Sequence, residues 1–219
     1  MQFCPNCGVP VQSTVETQKT YDNNVFTEEK PTKKNHVGIA VLLIILAILV
    51  AAGAFYVAND TAKNKTYNQF AELYNTMAKG AVKAETANIL IIDVWRNSII
   101  KTEDAKTDKF TKENEGNGQF YDDFNDALRS LYADQTFIED LTEIYSLQSK
   151  AETQIKNLSK HKRAFDEEYS DFKDCYNVFV KFTNMSLDAK GSLNSFRDDH
   201  NELDGKLADK LKELDIYFD

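Results

Sequence analysis

Two cysteines near the start of the chain, Cys4 and Cys7 in the octet MQFCPNCG, have the residue type and spacing best suited to chemistry. A Cys-x-x-Cys turn lets two thiolates grip one tetrahedral zinc while the backbone amides of the turn, shaped by Pro5 and Gly8, point toward the sulfurs. A redox dithiol is the competing chemistry. Such a pair normally sits where a strand runs into a helix, so that the helix dipole lowers the thiol pKa, and the sequence around Cys4 offers no such unit. The spacing is also compatible with a remnant that holds no metal, or with free thiols in a reducing cytosol.

The octet resembles the opening of bacterial zinc-ribbon proteins, in which an N-terminal FCPxCG knuckle is followed by a second one, commonly ahead of a membrane span. The likeness covers about the first ten residues, and Val9 to His36 contains no further cysteine. What the resemblance implies is a zinc held by Cys4 and Cys7. Four thiolates then require two chains, each donating its pair to a site shared across a homodimer. Tethering both chains to one membrane would favour that pairing through local concentration.

Elsewhere the chemistry-bearing residues are scattered. Cys175 has no partner cysteine nearby and lies one turn from Phe172 and Phe179, the pattern of a buried small hydrophobe. His161, in the run Lys160-His161-Lys162-Arg163, reads as a helix end or solvated face. His200 falls in a leucine stripe beside Asp198 and Asp199 and reads as a satisfied interfacial histidine; neither a second histidine at i+4 nor a Glu-x-x-His pair accompanies it. The doublets Asp122-Asp123, Glu167-Glu168 and Asp198-Asp199 point about 100° apart on a helix and so do not pair as acid and base. No phosphate-cradling glycine loop, nucleophile elbow or His-Glu-x-x-His helix is present, so the sequence nominates no catalytic residue.

The element that organises all of these is Val37–Ala58, VGIAVLLIILAILVAAGAFYVA, a run without a charged side chain. As a helix it would be about 33 Å long, enough to cross a hydrocarbon core of about 30 Å. Lys30, Lys33 and Lys34 on its N-terminal flank favour a cytoplasmic N-terminus and an exported C-terminal part. A cleaved signal peptide is the rival reading, because Ala52-Gly53-Ala54 has the spacing a signal peptidase needs. The polar leader of 36 residues and the length of the apolar run weigh against it.

Beyond the span the chain is acidic and free of proline. From Thr61 to Asp219 there are 22 basic and 30 acidic residues, a net of −8, and a surface of that sign repels nucleic acid. Pro5, Pro10 and Pro31 all precede the span, and their absence beyond it favours long helices. Apolar residues recur at three and four through Tyr67, Phe70, Tyr74, Met77, Ala81, Ala84, Ile91, Trp95 and Ile99, predicting one long helix within 61–107. Lys112–Gly118 reads as a loop. A second tract from Gln119 carries Phe120, Phe124, Leu128, Ile138, Leu141, Tyr145, Ile155 and Leu158, and breaks near Asp134. Thr136-Phe-Ile-Glu139 offers it a capping box. A third helix is expected from Lys160 to Leu187, and a last one from Ser192, where Ser195-x-x-Asp198 offers a cap.

The sequence thus predicts an all-α protein: a half knuckle at 1–10, a disordered cytosolic linker at 11–36, a transmembrane helix at 37–58, and an extracytoplasmic antiparallel bundle of three or four long helices at 59–219. Its expected role is binding, scaffolding or sensing at the cell membrane, toward lipid and a protein or envelope ligand rather than nucleic acid. An envelope hydrolase using bundle carboxylates, and a cytosolic regulator that uses the bundle as an oligomerising anchor, are the alternatives.

Overall fold

In the computed structural model the described residues are 2–3, 10–11 and 62–218. The chain divides into two compact units, Met1–Lys33 and Lys34–Asp219. In the first, strand β1 (Gln2–Phe3) pairs antiparallel with β2 (Pro10–Val11), with Gln2 opposite Val11 and Phe3 opposite Pro10. These pairs bracket the segment that carries Cys4 and Cys7. The cysteines themselves, residues 12–36 of the linker and the predicted span Val37–Ala58 lie outside the described residues. Among those described, no helix is long and apolar enough to cross a membrane.

The second unit is helical, as its periodicity predicts. Helix α1 (Ala62–Ile100) has 39 residues, about 58 Å at the usual rise. Short α2 (Asp108–Thr111) comes next, then α3 (Phe124–Ala133), α4 (Gln135–Leu158), α5 (Asp166–Leu187) and α6 (Leu193–Leu214). The Ile89–Trp95 run, apolar enough for a strand, lies inside α1. Helix α1 stops seven residues short of the predicted tract: Lys101 turns left-handed at φ 54°, and the Thr102 amide reaches back to the Asn97 carbonyl at 3.2 Å. That is a Schellman-type ending with lysine in the place glycine usually fills.

Contacts along α1 fix the direction of every other long helix. Lys83 meets Asp140 and Glu143 of α4, and Gly80 lies beside Leu147; Tyr67 meets Phe165 and Glu168, and Ala84 meets Ser186; Trp95 meets Phe196, and Tyr74 meets Asp215. Helices α4 and α6 therefore run antiparallel to α1, and α5 runs parallel to it. Helices α1 and α5 pack on each other, and both pack on α4 and α6, giving an up-down-up-down bundle with the α1–α5 pair at its centre.

Aromatic side chains fill this core, as their helical spacing suggests. At one end Phe70, Phe165, Phe172, Tyr74, Tyr217 and Phe218 interlock; at the other Trp95 stacks on Phe124 at 5.6 Å and touches Phe196 at 6.1 Å. Each buried Phe or Leu contributes roughly 1.5–3 kcal/mol. On α4 the predicted stripe holds at Leu141, Ile155 and Leu158 and is one residue off at two positions in the first half. Phe137 and Ile144 are buried, whereas Ile138 and Tyr145 are 40% and 61% exposed. The helix also starts ahead of the predicted cap: Asp134, not Thr136, accepts the Phe137 amide at 3.0 Å. Ser192 caps α6, exchanging hydrogen bonds with Ser195, which acts as its partner and not as the cap itself. Helix α5 starts at Asp166, after a single turn at Ser159–His161 that leaves His161 exposed.

Two glycines separate packing from propensity. A Cβ on Gly80 would lie 2.7 Å from the fully buried ring of Phe179, whereas a Cβ on Gly205 meets nothing within 4 Å. Gly80→Ala is therefore expected to cost about 1–3 kcal/mol, and Gly205→Ala to add up to about 1 kcal/mol. Urea unfolding of the two variants side by side checks both signs.

Candidate functional site

Midway along α1 the apolar stripe is interrupted by two polar residues one turn apart, Glu85 and Asn88. Both are buried, Asn88 completely. Asn88 is satisfied: its amide donates to the Phe182 carbonyl at 3.4 Å, and its side-chain oxygen accepts from the Ser186 hydroxyl at 2.9 Å. Glu85 is not. Helix α6 brings His200 and Asp204, four residues apart and so on one face, down onto it. Glu85 Oε2 lies 3.6 Å from His200 Nε2, with the two side chains only 6% and 7% exposed. With both carboxyls ionised, Glu85 Oε2 and Asp204 Oδ1 have no hydrogen-bond donor, and His200 Nδ1 has no partner.

Glu85 is buried and Asp204 partly so, and two carboxyl groups that converge there cannot both be ionised cheaply. Burial, then the neighbouring Asp204 charge and hydrogen bond, push the Glu85 carboxyl up to about 8. Burial also raises Asp204. The pair thus carries one proton at neutral pH, with protonated Glu85 donating to Asp204. Burial alone pulls His200 down to about 4, so its imidazole is neutral. It stacks on Phe182 of α5 at 5.6 Å.

The residues nominated by sequence take up different roles here. Cys175 is fully buried, with its thiol pushed up to about 12 by burial, and behaves as a hydrophobe. His200 is interfacial as expected but not satisfied, since Nδ1 has no partner. The carboxylates that converge are not the adjacent doublets but Glu85 and Asp204, 119 positions apart in sequence. The signal available for them was polarity inside a stripe: Glu85 at i+4 from Ala81, and Asp204 at i+4 from His200. Among the described residues no group of three or more His, Cys, Asp or Glu is arranged to hold a metal. The candidate metal ligands Cys4 and Cys7 lie outside those residues.

A shallow cleft of about 230 Å³ opens between α4 and α5, lined by Ile155, Lys156, Tyr169, Lys173 and Tyr176 among others. It is smaller than the 300–1,000 Å³ typical of small-molecule sites. Lys156 is tied to Glu152 there.

The two buried titrations give opposite slopes of stability against pH. Glu85 keeps its proton up to about pH 8 when folded and to its ordinary 4.5 when unfolded, so its contribution is full below 4.5 and lost as pH rises through 8. His200 titrates at about 4 folded against 6.5 unfolded, so its contribution is full above 6.5 and lost as pH falls through 4. Between 4.5 and 6.5 the His200 slope opposes that of Glu85, to which the raised Asp204 adds in the same sense, and above 6.5 the His200 slope ends and the Glu85 fall remains. The urea midpoint of the wild type should therefore fall from about pH 6.5 to about 8.5, and that of Glu85→Gln should stay level. No protein family, characterised protein or solved structure matches the chain, so the site stands on its geometry.

Proposed function

We propose that the chain is a single-pass membrane protein whose exported helical bundle binds or senses, with Cys4 and Cys7 forming a cytosolic zinc knuckle shared between two chains. The observation that supports this reading is the junction. Only Asn59, Asp60 and Thr61 separate the charge-free run ending at Ala58 from α1, the helix on which the other long helices pack. A bundle with a closed apolar core and a net −8 exterior suits the water side of a membrane and offers nucleic acid nothing. The paired strands β1 and β2 flank both cysteines in sequence, which is compatible with a knuckle between them. Two thiolates make half a structural zinc site, which is why a second chain enters the proposal.

A second reading rests on the convergence of Glu85, Asp204 and His200, groups that can serve as general acid and base. In a hydrolase they must meet substrate, and at 6–7% exposure Glu85 and His200 do so only if α6 moves. The binding and sensing reading asks for no such access.

Thiol labelling of intact cells tests the topology. Cys175 is buried and silent, so Ser170→Cys on the exposed face of α5 is expected to react with an impermeant maleimide, and Cys4 and Cys7 only after permeabilisation. Labelling of Cys4 and Cys7 in intact cells would reverse the orientation. For the knuckle, detergent-purified full-length protein should carry about half a zinc per chain as a dimer, and Cys4→Ser/Cys7→Ser should lose the metal and weaken the dimer. A dimer of unchanged strength without zinc would remove the shared site.

A further inference from the structure

The two halves of α6 are held differently. Its second half buries Leu207, Leu211 and Leu214, and just beyond it Asp215 takes a 2.8 Å hydrogen bond from Tyr74 of α1. Its first half buries Phe196 and His200, adds the partly buried Leu193 and Leu203, and sets Asp204 against Glu85. Gly205 stands between the halves, a mid-helix glycine with open space where a Cβ would be and no packing reason to be glycine. Glycine at such a position makes the helix easier to break than alanine would. On the far side, residues 188–192 lead into α6 through Gly191 in the left-handed region at φ 88°.

We propose that the proton shared by Glu85 and Asp204 latches the first half of α6 onto α1, and that removing it lets residues 193–204 swing away about Gly205 while residues 207–214 stay packed. Such a latch works whether or not the chain is membrane-anchored. It gives a sensing bundle a signal, proton concentration, and a moving part.

The surroundings leave the unprotonated pair without compensation. From α1 the facing groups are Glu85 itself and neutral Asn88. From α5 they are Phe182 and Ser186, both uncharged, while the nearby cation Lys181 acts on Glu202. From α3, Tyr132 reaches the Ser186 carbonyl at 3.1 Å, and burial pushes its phenol up to about 12, so it stays neutral. From α6 come His200, kept neutral by its burial, and Asp204. The cation of α1 nearest in sequence, Lys83, is engaged by Asp140 and Glu143 of α4. Losing the proton therefore leaves two carboxylates facing each other with no counter-charge. Separating them costs the first half of α6 the buried contacts of Phe196 and His200 and the partial ones of Leu193 and Leu203, against three fully buried leucines in the second half.

Trp95 is the single tryptophan and packs against Phe196, so its fluorescence reports the first half of α6 directly. On full-length protein in detergent, the emission of Trp95 is expected to shift to longer wavelength between about pH 6 and 9, with a midpoint near 8. In parallel, hydrogen exchange corrected for its intrinsic pH dependence should lose about tenfold or more of its protection at residues 197–204 and little at 207–214. Glu85→Gln, whose amide donates to Asp204 at every pH, should abolish both changes, and Asp204→Asn should do the same from the other side. A flat Trp95 profile in the wild type, equal loss of protection in both halves, or an unchanged shift in a folded Glu85→Gln protein overturns the proposal. The wild-type comparison of the two halves decides the matter even where a variant does not fold.

Discussion

Packing against α1 is the constraint on which the rest of the bundle depends. Helices α4, α5 and α6 each lie along it, and the small residues Ala78, Gly80, Ala81 and Ala84 let Phe179 and Ser186 of α5 approach closely. Close packing in the middle of a long helix excludes water, and Glu85 sits in that middle. Its burial is thus a consequence of the same contact that aligns the helices. The carboxyl must stay protonated because α6 closes over it with another carboxyl rather than a cation. An apolar residue of similar volume would be expected to stabilise such a contact at least as well. Stability alone therefore does not account for the cluster, whereas a response to pH does.

Apolar periodicity made much of the fold legible in the chain. Stripes at three and four placed α1, α4, α5 and α6, and the glycines and asparagines of 112–118 marked the excursion between α1 and α3. Boundaries failed where a side chain other than the obvious one capped the helix. Asp134 outcompetes Thr136 because a carboxylate at the N-cap accepts strongly from the exposed amides of the first turn; separately, Phe137 and Ile144 rather than Ile138 and Tyr145 face the core. Helix α1 ended early because the Asn97 carbonyl captures the Thr102 amide and the Asn97 side chain donates to Thr107 at 2.9 Å, contacts that apolar periodicity does not encode.

The site was less legible than the fold. Adjacent acidic doublets attract the eye, yet adjacency on a helix is the wrong geometry for pairing, and the carboxylates that do meet belong to the first and last long helices of the bundle. A polar residue at an apolar stripe position was the clue in both cases. Reading it required knowing that the two stripes face each other. The N-terminal cysteines are the opposite case: the spacing of Cys4 and Cys7 is plain in the sequence, and both lie outside the described residues.

Side-chain carbon NMR of selectively labelled glutamate, with Glu85 assigned through Glu85→Gln, would be the most direct measurement of the buried proton. The expected result is a carboxyl shift typical of the acid at about pH 7, moving to that of the carboxylate near pH 8 while the His200 ring stays neutral. A carboxylate signal for Glu85 already at about pH 6, or a charged His200 beside it, would show that the cluster is an ion pair and that no proton latches α6.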